Sequence, residues 1–392
     1  MFIILFVLLA LVWFLIIYHH LIYPVILQQL HCHQQKDDSE PSAALNRQKQ
    51  PSICVLIPAY NEADVIADKI RNLACLEYPT EKFNVVIACD GCTDQTAAIA
   101  RRCAQDVENS QLDITIIELP QNRGKVFVLN MVIECLNQEI IALSDASALI
   151  SIDALSIAAK HFTDPKVAVV GAGYQLLQAG NCGEDAYWKY QRKIKLAESA
   201  LGNPIGVHGA LYLFRRHLFE PLPADTINDD FILPMAIVSH GYHAIYEPTM
   251  VALELEQASR QMDLQRRVRL GAGNLQQLLR LPKLLAPSMG WTAFNFFSGK
   301  ALRAVMPLLI MIQLLLCFVL ATQSFELLIF ALLQIIGFSC AWLSSYLPEH
   351  KIHKYLNILF YLANGYRCSL LGTFRYLFGL ERGCWKSIDP KQ

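Results

Sequence analysis

The chain has 392 residues, 54% of them hydrophobic and only 17% charged, a balance that argues against a wholly soluble protein and sends part of the chain into lipid. Its formal net charge of −1 gives no global pull toward nucleic acid. Twelve cysteines without zinc-finger spacing argue against a disulfide framework and point to a reducing compartment with buried thiols.

In chain order, residues 1–30 contain no Asp, Glu, Lys or Arg and form an N-terminal transmembrane anchor. No basic region precedes the apolar run and no small-residue cleavage site succeeds it, which separates it from a cleaved signal peptide. The first flanking basic residues, Lys36, Arg47 and Lys49, put the chain beyond the anchor in the cytoplasm. Residues 31–51 are polar and read as a linker. His31, Cys32 and His33 lie in it, but adjacent positions cannot all face one ion and the spacing is not that of a zinc site.

Residues 52–280 alternate between strand and helix patterns, the signature of an α/β domain. Ile53–Ile57 reads as a strand ending in Pro58-Ala-Tyr60-Asn-Glu62, followed by a helix over 63–73. Asn84–Ala88 is a second strand, ending in Cys89-Asp90-Gly-Cys-Thr-Asp94, where Gly91 permits a tight turn and Thr93 or Asp94 caps a helix over 95–105. Cys89 and Cys92 make a CxxC by count, outside the context of a thioredoxin-like motif. A third strand over 114–119 leads into Asn122-Arg123-Gly124-Lys125 and a helix over 126–136; a basic pair beside glycine at a helix start suits phosphate. Ile140–Leu143 is a short apolar run, the pattern of a buried parallel strand, and it ends in Ser-Asp145-Ala-Ser147. In open α/β sheets ligands sit beyond the carboxyl ends of the strands, so Asp145 stands where a hard cation carrying phosphates would be held. The plainer reading of an isolated Asp in such a turn is a helix cap.

Further on, Trp188 and Tyr190 are either a sugar-stacking platform or helix packing, and Asp229-Asp230 before Phe-Ile-Leu is either a helix start or a pair of reactive carboxylates. Arg266, Arg267 and Arg269 could clamp a diphosphate or meet lipid headgroups. Residues 281–303 mix aromatic and basic residues in the manner of an interfacial helix. Residues 304–378 carry transmembrane helices: 304–325, 327–347 and a third over 355–378 interrupted by Arg367 and Arg375; residues 379–392 are a tail. The loop at 323–326 lacks Lys and Arg and is placed outside, and the basic stretch at 350–354 inside.

The segments Pro58-Ala-Tyr60-Asn-Glu62, Asp90-Gly-Cys-Thr-Asp94, Gly124-Lys125 and Asp145-Ala-Ser147 occur in an order and spacing that resembles the membrane-bound family 2 glycosyltransferases, the inverting enzymes that include exopolysaccharide, poly-N-acetylglucosamine, cellulose and hyaluronan synthases. The resemblance continues through Gly206-Val-His208-Gly209, Asp229-Asp230 and Gln265-Arg266, and covers roughly residues 50–300. It implies a GT-A doubly wound nucleotide-sugar-binding domain flanked by N- and C-terminal transmembrane helices. It implies donor binding by Pro58, Tyr60, Glu62, Asp90, Lys125 and Asp145, with Tyr60 stacked on the base, Asp90 bonded to it and Glu62 reaching the ribose. Mg²⁺ or Mn²⁺ would be held by Asp145 and Ser147, where the family's Asp-x-Asp has become Asp-Ala-Ser. Asp230 is the implied general base with Asp229 in support, and His208, Gly209, Gln265, Arg266 and Arg269 face acceptor or diphosphate. The tryptophan of the processive members' QxxRW is absent, since Arg266 is followed by Arg-Val-Arg.

The implied partners are a nucleotide-sugar donor (first of all a UDP-sugar), a polysaccharide or lipid-linked acceptor, membrane lipid and other polysaccharide-assembly subunits. The implied location is a bacterial inner membrane with the catalytic domain cytoplasmic. Three functions remain open on the sequence alone: cell-surface polysaccharide synthesis, transfer of a single sugar to polyprenyl phosphate or a glycolipid, and a non-catalytic scaffold subunit.

Overall fold

The protein is described by a computed structural model covering residues 2–34, 50–106, 112–178, 182–255, 260–344 and 354–381. Much of the expected linker and tail, and the basic stretch at 350–353, lie outside the described residues. The chain divides into two compact units. One takes residues 34–178 and 195–257; the other takes 1–33, 179–194 and 258–381.

The first unit is built on an eight-stranded sheet in the order β3-β2-β1-β4-β7-β6-β8-β5. β1 (Ile53–Ala59), β2 (Phe83–Asp90), β3 (Asp113–Leu119) and β4 (Ile140–Leu143) are mutually parallel. Every residue of β1 and β4 is buried, which is why these strands read as unbroken apolar runs. Strand order reverses between β1 and β4, and at such a switch point the loops on either side diverge and leave a crevice. Pro58-Ala-Tyr60 and Ser144-Asp145 both lie at this end.

The second half departs from an all-parallel reading. β7 (Tyr212–Arg215) runs antiparallel to β4 and to β6 (Val167–Leu176), and β8 (His243–Glu254) runs parallel to β6. A three-residue strand, β5 (Ala148–Ile150), starts directly after the Asp145 turn and pairs with β8. That turn is therefore tied into the sheet at both of its ends. β6 and β8 slip register between Ala172 and Gly173, where a side chain on Gly173 would meet the carbonyl of Pro248 at 2.9 Å.

In the second unit three helices are long and apolar enough to cross a membrane: Phe2–Cys32, Trp291–Leu320 and Phe325–Ser344. The first expected boundary shifts, because helix continues through Gln34, beyond residue 30. The separate interfacial helix expected over 281–303 is replaced by two short 3-10 turns, Pro282–Leu285 and Pro287–Met289, followed by one helix that enters at Trp291. Pro282, Pro287 and Gly290 (φ 54°) break the early part, and beyond Gly290 the helix runs on to Leu320 through a π-helical turn and past Pro307. The expected third C-terminal span is helix Lys354–Leu377, which is not among the three apolar enough to span. It packs on helix Arg260–Arg280, and backbones approach so closely that a side chain on Gly372 would lie 2.1 Å from the Val268 carbonyl. Two π-helical turns, Tyr18–Ile22 and Phe296–Ala301, are joined by Tyr18 and Ser298 hydroxyls at 2.8 Å and by His19 Nδ1 on the Ser298 carbonyl at 2.7 Å.

Candidate active site

Three loops at the carboxyl ends of β1, β2 and β3 are laced together. Asp90 is fully buried, and its two oxygens accept from the amides of Arg123 (2.8 Å) and Gly124 (2.7 Å). Its observed partners thus belong to the loop that carries Lys125. Gly91 (φ 63°) lies so close to Gln121 and Asn122 that a Cβ would approach the Asn122 nitrogen to 2.3 Å. Asn61, the one described non-glycine residue with positive φ (58°), exchanges bonds with Thr93: its Oδ1 accepts from the Thr93 amide at 2.8 Å and its Nδ2 donates to the Thr93 hydroxyl at 3.0 Å. The Glu62 amide donates to Thr96 Oγ1 at 2.8 Å. Pro58 is buried within β1, and Tyr60 and Glu62 are half-buried at its end. Cys92 donates to the Ala59 carbonyl (3.6 Å), so its thiol joins the β2 loop to β1.

The carboxylates meet next to this loop assembly. Gly124 (φ 90°, ψ 150°) starts helix Lys125–Cys135, so Lys125 emerges at the helix start. Its ammonium lies 3.0 Å from Asp145 Oδ1 and 3.4 Å from Asp229 Oδ2. Burial opposes the charge on Lys125, but Asp145, Asp229 and Asp230 outweigh it and raise its pKa, so the lysine stays a cation. Asp229 and Asp230 open helix Asp229–Ser239; Asp229 is buried on Lys125 while Asp230 is more open. Asp145 Oδ2 and Asp230 Oδ2 converge over Gly209. A Cβ there would lie 3.1 Å from the first and 3.6 Å from the second. The missing side chain leaves an oxygen-lined cradle.

The Gly206–Ala210 segment is held from several directions. Lys195 donates to the carbonyl of Gly206 at 2.6 Å, Glu198 accepts from the Ile205 amide at 2.9 Å, and Gly206 (φ 81°) makes room for the Phe231 ring. His208 stacks on Tyr174 with ring centroids 3.7 Å apart, and its Nδ1 accepts from the Ala210 amide at 3.1 Å. Ser147 is half-buried, and its carbonyl accepts from Leu255 at 3.1 Å.

Two residues beneath the carboxylates were invisible to the sequence reading. Tyr212 of β7 is 1% exposed, and its hydroxyl has no hydrogen-bond partner among the described residues. Burial, and then Asp229, Asp230 and Asp145, push its pKa far up, so it remains a donor. Lys69, in helix Ile66–Ala74, has no exposed surface; its ammonium donates to Ser144 Oγ at 2.6 Å and to the Ala148 carbonyl. Burial brings its pKa down to about 7 against the opposing pull of Asp145 and Glu254. A signal existed: Lys69 occupies the apolar stripe Ile66, Ile70, Leu73 at helical spacing, where a solvated lysine has no place.

Gln265, Arg266 and Arg269 sit on helix Arg260–Arg280, which belongs to the other unit. Their neighbour Arg267 is committed to packing. It pairs with Asp263 at 2.8 Å, and its guanidinium lies 3.7 Å from the centre of the Tyr361 ring. Trp188 and Tyr190 also belong to that unit, where Tyr187 meets Trp188 edge-on at 5.4 Å.

The sequence profile described as "Glycosyltransferase like family 2" matches residues 51–273, more than half of the chain. The chain belongs to this family. Its GT-A fold is seen again in the solved mannosyltransferase PcManGT from Pyrobaculum calidifontis, in complex with GDP-Man and Mn²⁺, which superposes with a TM-score of 0.71 at 23% identity over 95% of this chain and 99% of that one. The transferase is also 26% identical, over 244 residues, to the poly-beta-1,6-N-acetyl-D-glucosamine synthase of Staphylococcus aureus strain MSSA476. The corresponding synthase of Staphylococcus epidermidis is 26% identical over 241 residues. These matches cover 60% and 59% of the transferase, and 58% and 57% of the two synthases.

Proposed function

We propose that this glycosyltransferase moves a sugar from a nucleoside-diphosphate donor onto a growing cell-surface polysaccharide, working from the cytoplasmic side of a membrane crossed by its apolar helices. The observation that carries the reading is the convergence of Asp145 and Asp230 over Gly209, with Lys125 bridging Asp145 and Asp229. The donor's base and ribose would lie against Tyr60 and Glu62 at the end of β1, in the crevice between β1 and β4.

The donor set suits a hard divalent cation. It offers the carboxylate oxygens of Asp145 and Asp230 in a cradle that a Cβ would fill. No group of three or more His, Cys, Asp or Glu among the described residues is arranged to hold an ion by itself, so the remaining ligands would have to come from the donor's phosphates and water. Asp145 would hold Mg²⁺ or Mn²⁺ with help from the Ser147 hydroxyl, and the ion would neutralise the charge that gathers on the departing diphosphate. Lys125 supplies a fixed positive charge in the same place. Asp230 accepts the proton of the acceptor hydroxyl as its oxygen bonds to the anomeric carbon. The bond from that carbon to the donor phosphate breaks on the opposite face, so the configuration inverts. Asp229 holds Lys125, so the two adjacent carboxylates take different tasks.

A second reading, transfer of one sugar to a lipid-linked acceptor, is favoured by the missing tryptophan after Arg266. Both are tested with protein in detergent, Mn²⁺ or Mg²⁺, and a panel of UDP- and GDP-sugars, measuring nucleoside diphosphate release and product length. Metal-dependent release that is lost in Asp145→Ala and Asp230→Asn, with long products, supports the polymer reading; single-sugar lipid products support the second. Release that survives in Asp230→Asn removes Asp230 as the base.

A further inference from the structure

The transferase buries a lysine that the transfer chemistry does not use. Lys69 is the largest charged side chain in the fully buried set, and taking an ammonium out of water costs several kcal/mol. A methionine of similar length would fasten helix Ile66–Ala74 to the sheet without that cost. What Lys69 does with its charge is specific. Its two acceptors, Ser144 Oγ and the Ala148 carbonyl, flank the Asp145–Ser147 turn on either side. The turn closes on itself through the Ala148 amide and the Asp145 carbonyl at 3.3 Å. Ser144 relays the contact onward, since its hydroxyl donates to the Ala210 carbonyl at 2.6 Å, one residue from the Gly209 cradle.

We propose that Lys69 is the positioning residue of the Asp145–Ser147 turn, a buried side chain whose two hydrogen bonds hold Asp145 over Gly209, where it would bind a divalent cation. The inference rests on the reading of Asp145 as the metal-holding carboxylate. It also accounts for a turn with one carboxylate where the family pattern has two. A lone carboxylate must be held more rigidly than one of a pair. Partners that orient a metal ligand are worth about 10- to 100-fold in metal affinity in well-studied sites.

The test is Mn²⁺ binding to the full chain in detergent, read by electron paramagnetic resonance with and without UDP or GDP, on wild type, Lys69→Met, Lys69→Arg, Ser144→Ala and Asp145→Ala. Lys69→Met is expected to weaken Mn²⁺ binding about 10- to 100-fold, with Lys69→Arg recovering part of the loss. Ser144→Ala, which removes only the hydroxyl relay and keeps the protein testable where Lys69→Met does not fold, is expected to weaken it by a few-fold. Folded Lys69→Met or Ser144→Ala protein that binds Mn²⁺ as wild type does overturns the proposal while leaving Asp145 in its role. Wild-type binding that Asp145→Ala does not alter, or no wild-type binding at all, overturns the metal-site reading, and the role of Lys69 goes with it.

Discussion

The acidic site has an open layer and a buried floor, and the two treat a lysine in opposite ways. In the open layer Lys125 is bonded directly to carboxylates, and their charge raises its pKa despite burial. In the floor Lys69 bonds to a hydroxyl and a carbonyl, and burial brings its pKa down to about 7 even though Asp145 and Glu254 pull the other way. The same side chain is a resident counter-ion in one setting and a strut in the other. What separates them is whether the partner oxygen carries charge.

The sharpest way to break this division is to remove groups from the open layer. Asp230→Asn keeps the shape of the cradle but removes the carboxylate proposed as proton acceptor, and kcat is expected to fall by about 10²- to 10⁴-fold with the donor KM little changed. Steady-state kinetics with the donor that the sugar-nucleotide panel identifies would show it. Lys125→Met leaves Asp145 and Asp229 facing each other without their shared cation, and the donor KM is expected to rise at least about tenfold, equivalent to about 1.4 kcal/mol. An unchanged KM would move Lys125 out of the donor site.

The floor gives smaller and different signatures. A lysine whose pKa is lower in the folded chain than in the unfolded one costs stability wherever only the unfolded chain keeps the proton. With values of about 7 and 10.5, wild-type stability should therefore rise with pH across that window. Lys69→Met lacks this rise, so its melting temperature relative to wild type should become steadily lower from pH 7 to pH 10 in a detergent thermal-shift series. A pH-independent difference would show that Lys69 does not titrate there. Least of all, Tyr212→Phe removes a buried hydroxyl without a partner among the described residues. It should leave stability unchanged or raise it by up to about 1 kcal/mol, a few degrees at most in melting temperature.

The open layer was legible in the sequence and the floor was not. Tyr60 and Asp145 stood out because each lies where an apolar run gives way to a turn, and Asp229-Asp230 because the pair precedes an apolar run as a helix start does, both local patterns. The parallel strands β1 to β4 were readable for the same reason. The antiparallel direction of β7 and the little strand β5 were not, since direction is set by the pairing partner and not by the local period, and three residues are too few to show a period at all. Lys69 escaped because a lysine in a short helix reads as solvated, and only its place in the Ile66, Ile70, Leu73 stripe says otherwise. Asp90 was recognised as important for its position, but its engagement with the Arg123 and Gly124 amides depends on a loop 33 and 34 residues away. The membrane half followed composition well for the three apolar helices. It failed at Trp291, where continuity was decided by Pro287 and Gly290 lying just upstream.

The carboxylate clamp of Asp90 also bears on how the enzyme comes into being. Its partners lie 33 and 34 residues later in the chain, and Asp145 lies 20 residues beyond Lys125, whereas the Ser144 bond to Ala210 spans 66. Loop-closure entropy grows with such separations, and domains emerging from the ribosome gain their N-terminal contacts first. The loops at the ends of β1 to β3 are thus expected to mature before the cradle over Gly209, which must wait for β7 and the Asp229–Asp230 helix. Pulse-labelled hydrogen exchange during refolding of the enzyme would order the two events, with protection at Gly124 preceding protection at Ala210 if the nascent chain builds its donor half first.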